Sequence, residues 1–363
     1  MNKLCLIDGS SIAYRGFYAL PLLTNSHGIP TNAVYGFALM LLKLIEDEQP
    51  THILVAFDAS AKTFRHDDYA EYKSTRMKTP SELSGQFSII KELLDAFSIR
   101  YFELDNYEAD DIIGTLASQA EKQSLKTRIV TGDKDLLQLV SDQTDVLLTR
   151  KGMSEVDTYT VQSLQEKYEL SPEQIIDLKG LMGDSSDNIP GIPGVGEKTA
   201  LKLLKQYGSL ENVLAHSEDI RGKKLKENVQ SHAEQAVLSK KLATIYRSVE
   251  IDLSLTDLKY DGYSKETLAQ FFKKWEFKKL EERIMGDEVA QSTEAVPIEV
   301  DIISSSTIID WDSLLSDRMA LYVELEQGPY VSANVIGMAI SDGVRHTYIP
   351  FEIVRSSKEL QHW

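Results

Sequence analysis

Short apolar runs rich in β-forming residues alternate with helix-length stretches over the first 150 residues, and this alternation constrains the fold more than any other feature. Strands are predicted at Lys3–Asp8, His52–Asp58, Arg100–Leu104, Thr127–Thr131 and Val146–Thr149. Helical spacing predicts helices at Ala33–Glu48, Ser81–Phe97 and Glu108–Lys122. Strands separated by helices of this length are typical of βαβ units. We therefore predict an α/β fold with a mainly parallel sheet flanked by helices.

The α/β region is predicted to extend over residues 1–160. Three further segments are predicted in the rest of the chain. Helical apolar spacing with Gly and Pro turns follows over 161–285. Residues 286–317 have few aromatic side chains and many Glu, Ser, Thr and Val, which is typical of a linker. A further domain is predicted to begin over 318–363. Its strand-like runs are Ala320–Glu324 and Val335–Ile340.

Composition excludes several classes of protein. Cys5 is the only cysteine, so neither a disulfide framework nor a cysteine-based zinc site is available. The longest apolar run, Phe37–Leu42, is far shorter than the ~20 residues of a membrane span, and the N-terminus has no signal-peptide pattern. We therefore expect a cytoplasmic protein without a membrane partner. A net charge of −17 would argue against nucleic acid as a partner. Residues 287–363 carry −9 of this charge, so local clusters of charge are a better guide to the partner than the whole-chain value.

Acidic residues follow the predicted strands at the points where the strands end. Asp8 and Asp58 close two of the runs, and Asp133 comes two residues after a third. Because ligands bind at the carboxyl ends of parallel strands, these three side chains can converge on one crevice. Six further acids lie at the starts of later helices or in loops. They are Glu108, Asp110, Asp111, Asp135, Asp184 and Asp187.

A single acid at a helix start can be an N-cap, and this interpretation suits Asp111 or Asp135 taken alone. Nine carboxylates at one site would raise one another's pKa values and destabilise the fold unless cations neutralised them. Oxygen ligands without His or Cys favour Mg²⁺ or Mn²⁺. Two such ions about 3.5–4 Å apart are typical of phosphodiester hydrolysis. The acids therefore predict a site for two Mg²⁺ or Mn²⁺ ions.

A Gly/Pro-rich segment at residues 189–200 is the second strong signal. Gly191, Gly194 and Gly196 precede a helix that is predicted to begin near Glu197. Glycines allow a phosphate to approach the backbone, and free N–H groups at a helix start attract anions. The spacing is not that of a Walker A loop. A simple turn between two helices is the alternative interpretation.

Residues 61–80 carry interleaved basic and aromatic side chains. Lys73 and Arg76 are three positions apart, so a helix would direct both to the same side. Tyr69 and Tyr72 lie among them, and aromatic faces can stack on unpaired bases. A solvated charged helix is the alternative interpretation.

Six motifs, in order over residues 1–285, resemble those of the 5′-nuclease (flap endonuclease) superfamily. They are Ile7–Ser11, Ala56–Asp58, Glu71–Arg76, Tyr107–Asp111, Thr131–Leu137 and Gly183–Ala200. More closely, they resemble the N-terminal 5′→3′ exonuclease domain of bacterial DNA polymerase I. The resemblance implies a PIN-like core, a helical arch at 61–80 and a helical domain with a helix-hairpin-helix at 183–208.

The resemblance also implies roles for the site residues. The first metal would be served by Asp8, Asp58, Glu108 and Asp110. The second would be served by Asp133, Asp135, Asp184 and Asp187, and Asp111 would lie beside both. Lys73 and Arg76 would engage the scissile phosphate, and Tyr14 would stack on the base next to the cut. Further nucleic-acid contacts are implied for Arg15, Tyr72, Gly191, Gly194, Gly196, Lys198 and Thr199, with K⁺ on hairpin carbonyls.

The implied activity is that of a metal-dependent 5′→3′ exonuclease and flap endonuclease. Its DNA would be a nicked duplex, a 5′ flap or an RNA–DNA primer junction, and the chain would be a monomer joined to a polymerase domain. Residues 318–350 resemble the start of a 3′→5′ exonuclease-like domain. The strand Tyr322–Glu326 lacks the aspartate of proofreading members, so we expect this segment to be inactive.

Two other functions fit parts of the pattern. A haloacid-dehalogenase-like phosphatase also has a first strand that ends in Asp. It needs a second Asp two residues later, where this chain has Ser10. A DNA-binding module without catalysis is the other alternative. Because acidic residues occupy all nine positions, a loss of catalysis in such a module would need another cause.

Overall fold

The computed structural model describes residues 2–59, 62–150, 156–286, 300–304, 319–325, 334–342 and 345–356. The chain forms two compact units, Met1–Met285 and Gly286–Trp363. No helix in the described ranges is long and apolar enough to cross a membrane.

A six-stranded sheet forms the centre of the first unit. Its strands are β1 Lys3–Asp8, β2 His52–Ala56, β3 Arg100–Phe102, β4 Lys126–Thr131, β5 Thr144–Thr149 and β6 Val156–Tyr159. The spatial order is β3-β2-β1-β4-β5-β6. Strands β1 to β5 pair in parallel, and β6 is antiparallel to β5. The predicted mainly parallel sheet is confirmed, while β6 was not predicted.

The helices of the first unit cover the predicted helical stretches. They are α1 Gly9–Ala19, α2 Asn32–Glu48, α3 Arg65–Asp68, α4 Ser81–Ser84, α5 Gln86–Ala96, α6 Ala109–Lys122, α7 Val161–Tyr168, α8 Gln174–Met182, α9 Glu197–Tyr207, α10 Leu210–Ala215, α11 Lys223–Ser231, α12 Ala233–Ala243, α13 Lys265–Lys274 and α14 Lys278–Met285. Short 3₁₀ helices cover Lys134–Leu139, Ser217–Asp219 and Leu255–Leu258.

The helix predicted over Ser81–Phe97 is divided at Gly85 into α4 and α5. The buried Gln86 side chain donates to the Glu82 carbonyl at 2.9 Å, and its own oxygen accepts from the Ala33 N–H at 2.8 Å. Gly85 itself keeps right-handed helical angles, with φ −65° and ψ −22°, and its N–H donates to the Ser81 carbonyl at 3.3 Å. The interruption is therefore confined to this one residue.

Alternate residues of β1 face two hydrophobic cores. Leu4 and Leu6 pack in the core that includes α6, and Cys5 and Ile7 pack in the core that includes α2. Side chains of a strand alternate between the two faces of a sheet, so a fully covered strand is apolar throughout. Burial, with the Glu48 carboxylate adding to it, raises the pKa of the Cys5 thiol to about 12.

The helical part of the first unit shares a core with the sheet. Leu6 of β1, Leu181 of α8 and Leu204 of α9 belong to one cluster of buried side chains. Residues 1–285 therefore pack as one compact unit. The predicted boundary between residues 160 and 161 stays a prediction.

The strand register brings the carboxyl ends of β1, β2 and β4 to one edge of the sheet. Asp8 lies opposite Ala56 of β2, and Ile7 lies opposite Val130 of β4. The residues that follow β2 and β4 therefore leave the sheet on either side of Asp8. This carboxyl edge is where an open parallel sheet binds its ligand.

The segment between β2 and α4 differs from the predicted helical arch. It contains the single-turn helix α3 and turns over residues 70–75, and Lys73 has a left-handed φ of 55°. A positive φ interrupts a right-handed helix, so the prediction of a helix through Lys73 and Arg76 is wrong. Both side chains nevertheless reach one carboxylate, that of Asp187.

The second unit contains a four-stranded sheet. Its elements are β7 Val300–Ile302, β8 Ala320–Leu325, β9 Val335–Ser341, β10 His346–Pro350 and α15 Phe351–Ser356. The order is β7-β10-β9-β8. Strands β8 and β9 confirm two predicted strands, whereas β7 lies inside the segment that was predicted as a linker. Glu326 lies outside the described residues.

Candidate active site

Asp8 lies at the middle of the carboxyl edge, where β1 ends and α1 begins. Its Oδ1 accepts a hydrogen bond from the Ser11 N–H at 3.0 Å and caps α1. Its Oδ2 accepts from Thr131 Oγ1 of β4 at 2.8 Å. The carboxylate is buried. Two neighbouring elements thus fix its position.

The end of β2 and the start of α6 bring further acids to this edge. Asp58 Oδ1 accepts from the Ala109 N–H at 3.0 Å, which ties the two elements together. Glu108 is the N-cap of α6, and Asp110 lies in its first turn. A helix start favours negative side chains, so the fold places these acids where its own dipole stabilises them.

Crowding of these acids shifts their protonation. Burial, and then the charge of Asp58, raises the pKa of Asp8 to about 7. Burial, and then the charges of Asp8 and Asp133, raises the pKa of Asp110 well above its ordinary value. Carboxylates that raise one another's pKa in this way attract cations. The structure therefore brings Asp8, Asp58, Asp110 and Asp133 into one electrostatic group.

A second group of acids surrounds Lys179 of α8. Lys179 Nζ lies 2.6 Å from Asp135 Oδ1 and also contacts Asp184 Oδ2. Burial, and then the charge of Asp133, raises the pKa of Asp135 to about 7, although Lys179 opposes this shift. Burial also acts to raise the pKa of Asp184, but hydrogen bonds from Lys179 and Ser186 outweigh it and lower the pKa. Asp133 therefore lies between the two groups.

Lys179 was missed by the sequence analysis. A single lysine on a helix is usually solvent-exposed, and its position five residues before Asp184 gives no periodic signal. Only the packing of α8 against the 3₁₀ helix that carries Asp135 reveals the contact.

Asp111 differs from the implied position beside both metals. It is 0% exposed, and Arg65 binds both of its oxygens at 2.8 Å. It also accepts from the N–H groups of Glu108 at 3.1 Å and Tyr246 at 2.8 Å. Its accepting positions are therefore taken by protein donors. This geometry contradicts the implied metal role and makes Asp111 the partner of a buried arginine.

Lys73 and Arg76 converge on the acids from the turn that follows α3. Lys73 Nζ lies 2.7 Å from Glu108 Oε1 and 3.9 Å from Asp187 Oδ2. Arg76 Nε donates to Asp187 Oδ1 at 3.0 Å. Burial acts to lower the pKa of Lys73, but the Glu108 and Asp187 carboxylates outweigh it and raise the pKa. Both cations are therefore held at the rim of the carboxylate site.

Tyr72 does not present its ring to a nucleic acid. It is 3% exposed, and its hydroxyl donates to Glu108 Oε2 at 3.3 Å and Asp187 Oδ2 at 3.4 Å. This burial contradicts the prediction that Tyr72 stacks on a base. Sequence spacing could not distinguish it from Tyr69, which is only partly buried.

Tyr14 and Arg15 lie on α1 beside the acids. The Tyr14 hydroxyl is 2.5 Å from Thr79 Oγ1, and its ring lies 6.5 Å from that of Phe87. Both α1 residues are partly exposed. They are therefore available to a ligand at this edge, and their DNA-contact role stays a prediction.

The glycine-rich hairpin divides into a packed half and an open half. Gly191 has a φ of 58°, and a Cβ there would collide with the backbone of Gly183, so packing alone requires glycine at this position. Its contact with DNA stays a prediction. A Cβ on Gly196 would meet no atom within 4 Å, and one on Gly194 would meet only Asn228 Nδ2 at 3.4 Å. Helix α9 follows with Lys198 and Thr199 in its first turn.

Two hairpin carbonyls have side-chain donors. The Gly191 carbonyl accepts from Gln235 Nε2 at 2.5 Å, and the Pro193 carbonyl accepts from Asn228 Nδ2 at 2.7 Å. Because a carbonyl oxygen has two lone pairs, these hydrogen bonds do not test the implied K⁺ site, which stays a prediction.

The acids fit divalent cations by their chemistry. All donors are oxygens, several are buried, and their mutual repulsion needs positive charge. In the part of the chain that the structure describes, no three acidic, His or Cys side chains are arranged to hold one ion. Lys73, Arg76 and Lys179 instead form ion pairs with Glu108, Asp187 and Asp135.

A mainly parallel sheet with acids converging on its carboxyl edge, next to a helical hairpin, defines a class of α/β nucleases. The family model "5′-3′ exonuclease, N-terminal resolvase-like domain" matches residues 3–169, and "5′-3′ exonuclease, C-terminal SAM fold" matches residues 170–266. The chain therefore belongs to the 5′–3′ exonuclease family, whose members cleave phosphodiester bonds.

Curated relatives are longer proteins. DNA polymerase I of Bacillus subtilis is 49% identical over 362 residues, which is 100% of this chain and 41% of that protein. DNA polymerase I of Bacillus caldotenax is 50% identical over 339 residues, 93% of this chain and 38% of that protein. The chain thus spans about two fifths of the length of these relatives.

Solved structures share the fold. The 5′-exonuclease of bacteriophage T5 with bound zinc is 20% identical with a TM-score of 0.56, and the match covers 76% of this chain and 99% of that one. The catalytic core of Rad2 in complex with a DNA substrate is 16% identical with a TM-score of 0.54, covering 78% and 91%. These matches confirm the predicted α/β architecture.

Proposed function

We propose that this chain hydrolyses phosphodiester bonds in nicked or 5′-flapped duplex DNA, including RNA–DNA primer junctions, with two Mg²⁺ or Mn²⁺ ions. The observation that carries the proposal is the convergence of buried acids from several strand ends. Burial, and then the charges of neighbouring carboxylates, raise the pKa values of Asp8, Asp110 and Asp135, and divalent cations would relieve this repulsion.

Two groups of carboxylates would hold the ions. One consists of Asp8, Asp58, Glu108 and Asp110, and the other of Asp133, Asp135, Asp184 and Asp187. When bound, paired divalent ions activate an attacking water and stabilise the leaving oxygen. Asp111 belongs to neither group, because Arg65 donates hydrogen bonds to both of its carboxylate oxygens.

Lys73 and Arg76 would bind the scissile phosphate. Both lie against Glu108 or Asp187, with Lys73 Nζ only 2.7 Å from Glu108 Oε1. Once these carboxylates are shared with added cations, the two basic side chains are free to turn toward phosphate oxygens. Positive groups fixed at the reacting phosphate stabilise the charge that develops there.

The open half of the hairpin would hold the duplex. Gly194 and Gly196 leave the backbone accessible, and the first turn of α9 offers Lys198 and Thr199 to phosphate. Tyr14 and Arg15 would contact the strand near the cut. We propose that the chain acts as a monomer in the cytoplasm, joined to a polymerase domain as in its longer relatives.

Asp133→Asn tests the proposal, because Asp133 lies between the two groups. Cleavage of a 5′-flap duplex in Mg²⁺ should fall by about 10²-fold or more, while binding in Ca²⁺ is retained. Calorimetric titration with Mn²⁺ should show weaker binding of an ion. Asp142→Asn, an exposed acid elsewhere, is the control. Near-parental cleavage by Asp133→Asn would contradict the proposal. If the unmodified protein bound the DNA without cleaving it, the alternative of a DNA-binding module without catalysis would be supported instead.

A further inference from the structure

Two residues with left-handed backbone conformations face each other where the turn of Lys73 meets the loop of Asp187. Lys73 and Asn188 both have a φ of 55°. The Lys73 N–H donates to the Asp187 carbonyl at 2.8 Å. In return, Asn188 Nδ2 donates to the Glu71 carbonyl at 2.8 Å and to Ser74 Oγ at 3.1 Å. These three hydrogen bonds join the two segments.

The two left-handed residues differ in how well they tolerate the conformation. Asparagine adopts it readily, whereas a lysine in it persists only where the surroundings hold it. Within its own turn, Lys73 is flanked by bonds from the Ser74 N–H to the Glu71 carbonyl at 3.0 Å and from the Arg76 N–H to the Lys73 carbonyl at 3.1 Å. The Asn188 amide adds two hydrogen bonds to the same turn from a different segment of the chain.

The Asn188 side chain is not needed to close its own loop. Asp184 and Ile189 already close that loop through paired backbone bonds of 2.8 and 2.7 Å. Both hydrogen bonds of the Asn188 amide go instead to the segment that carries Lys73. These two bonds therefore tie the turn of Lys73 to the loop that follows Asp187.

We propose that Asn188 is a positioning residue: its side-chain amide fixes the turn over 71–76 so that the Lys73 ammonium stays directed at the carboxylate site. The inference rests on the proposed role of Lys73 at the scissile phosphate. It adds a residue that touches neither metal ligand oxygens nor substrate and acts through the backbone of another segment.

Asn188→Gly removes the amide and keeps a residue that accepts a positive φ. Single-turnover cleavage of a 5′-flap duplex in Mg²⁺ should slow about 10-fold, since a misplacement of ~1 Å at a reacting group costs up to about 10²-fold. The dissociation constant for the same duplex in Ca²⁺ should stay within about twofold, because the hairpin carries binding. Ser124→Gly, at an exposed remote position with the same φ of 55°, should change neither quantity.

Ser74→Ala provides a second and milder variant. It removes only the bond of 3.1 Å and should slow cleavage by about threefold, which is less than Asn188→Gly. An Asn188→Gly rate equal to the parental rate would overturn the inference. So would a loss that appears only as weaker binding.

A double-variant cycle distinguishes this inference from the proposed function. In a Lys73→Ala background, Asn188→Gly should slow cleavage by less than about twofold, because the group it positions is already absent. A further 10-fold loss there would overturn the positioning role while leaving the nuclease proposal standing. If Lys73→Ala itself cleaved at the parental rate, the proposed role of Lys73 and this inference would both fail.

Discussion

Replacing Asp8 by asparagine should stabilise the fold while abolishing its chemistry. Asparagine is as good an N-cap as aspartate, so the bond from the Ser11 N–H that begins α1 can be kept. The variant removes one charge from the crowded carboxyl edge. Its effects on stability and on cleavage should therefore have opposite signs.

The magnitude follows from the pKa of Asp8. Burial and the charge of Asp58 raise this pKa to about 7 from an ordinary value of 3.8. A difference of one in pKa corresponds to about 1.4 kcal/mol, so ionised Asp8 costs the folded chain up to ~4 kcal/mol. Between pH 4 and pH 7 the folded state binds more protons at Asp8 than the unfolded state, so stability falls as pH rises through this window.

The asparagine variant carries no charge at this position at any pH. Near pH 4 the free energies of unfolding of variant and parent should be similar. At pH 8, in EDTA, the variant should be more stable by about 2–4 kcal/mol. Added Mg²⁺ should stabilise the parent more than the variant, because binding to the folded state stabilises it by mass action.

Urea unfolding followed by circular dichroism at pH 4.5, 6, 7 and 8 measures this difference. Asp142→Asn, at an exposed position, should show the parental pH dependence. A stability difference between Asp8→Asn and the parent that does not grow between pH 4.5 and pH 7 would refute the argument. Parental cleavage by Asp8→Asn in Mg²⁺ would refute the assignment of Asp8 to the metal site.

Four further outcomes are expected. Lys73→Ala should slow single-turnover cleavage by about 10²–10³-fold with little change in DNA affinity, and a rate within threefold of the parent would contradict its role. Gly194→Val should weaken duplex binding in Ca²⁺, because φ is 78° there and the hairpin backbone would be covered, whereas Gly28→Val, with a φ of 75° in a distant open loop, should not. Arg65→Met should destabilise the chain by about 3–5 kcal/mol in urea unfolding, because it leaves the buried Asp111 carboxylate without its partner. The second unit should show no Mg²⁺-dependent shortening of a 3′-labelled single strand in an Asp133→Asn background.

The sheet and its acidic edge could be predicted from sequence because both depend on local patterns. An apolar run that ends in Asp8 or Asp58 indicates a buried strand and its carboxyl end at once. Parallel pairing then requires those ends to meet. The order of the strands and the unpredicted β6 depend on long-range pairing, for which the sequence carried no local signal.

The details of the site depend on contacts between residues far apart in the chain. Arg65 and Asp111 are 46 positions apart, and no spacing rule pairs them. The left-handed Lys73 is held by a loop more than 100 residues away, so helical propensity alone gave the wrong conformation. Tyr72 was assigned to the surface by its neighbours in sequence, whereas tertiary packing buries it.

The burial of Cys5 makes the chain suitable for site-specific labelling. As the single thiol, fully enclosed in β1 and with its pKa raised to about 12, it presents almost no thiolate to a maleimide while the sheet is closed. A cysteine introduced at Met77, which is 89% exposed, would then react alone. A fluorophore there would report how the segment beside Arg76 moves when DNA arrives, and slow labelling of Cys5 would time the opening of the central sheet.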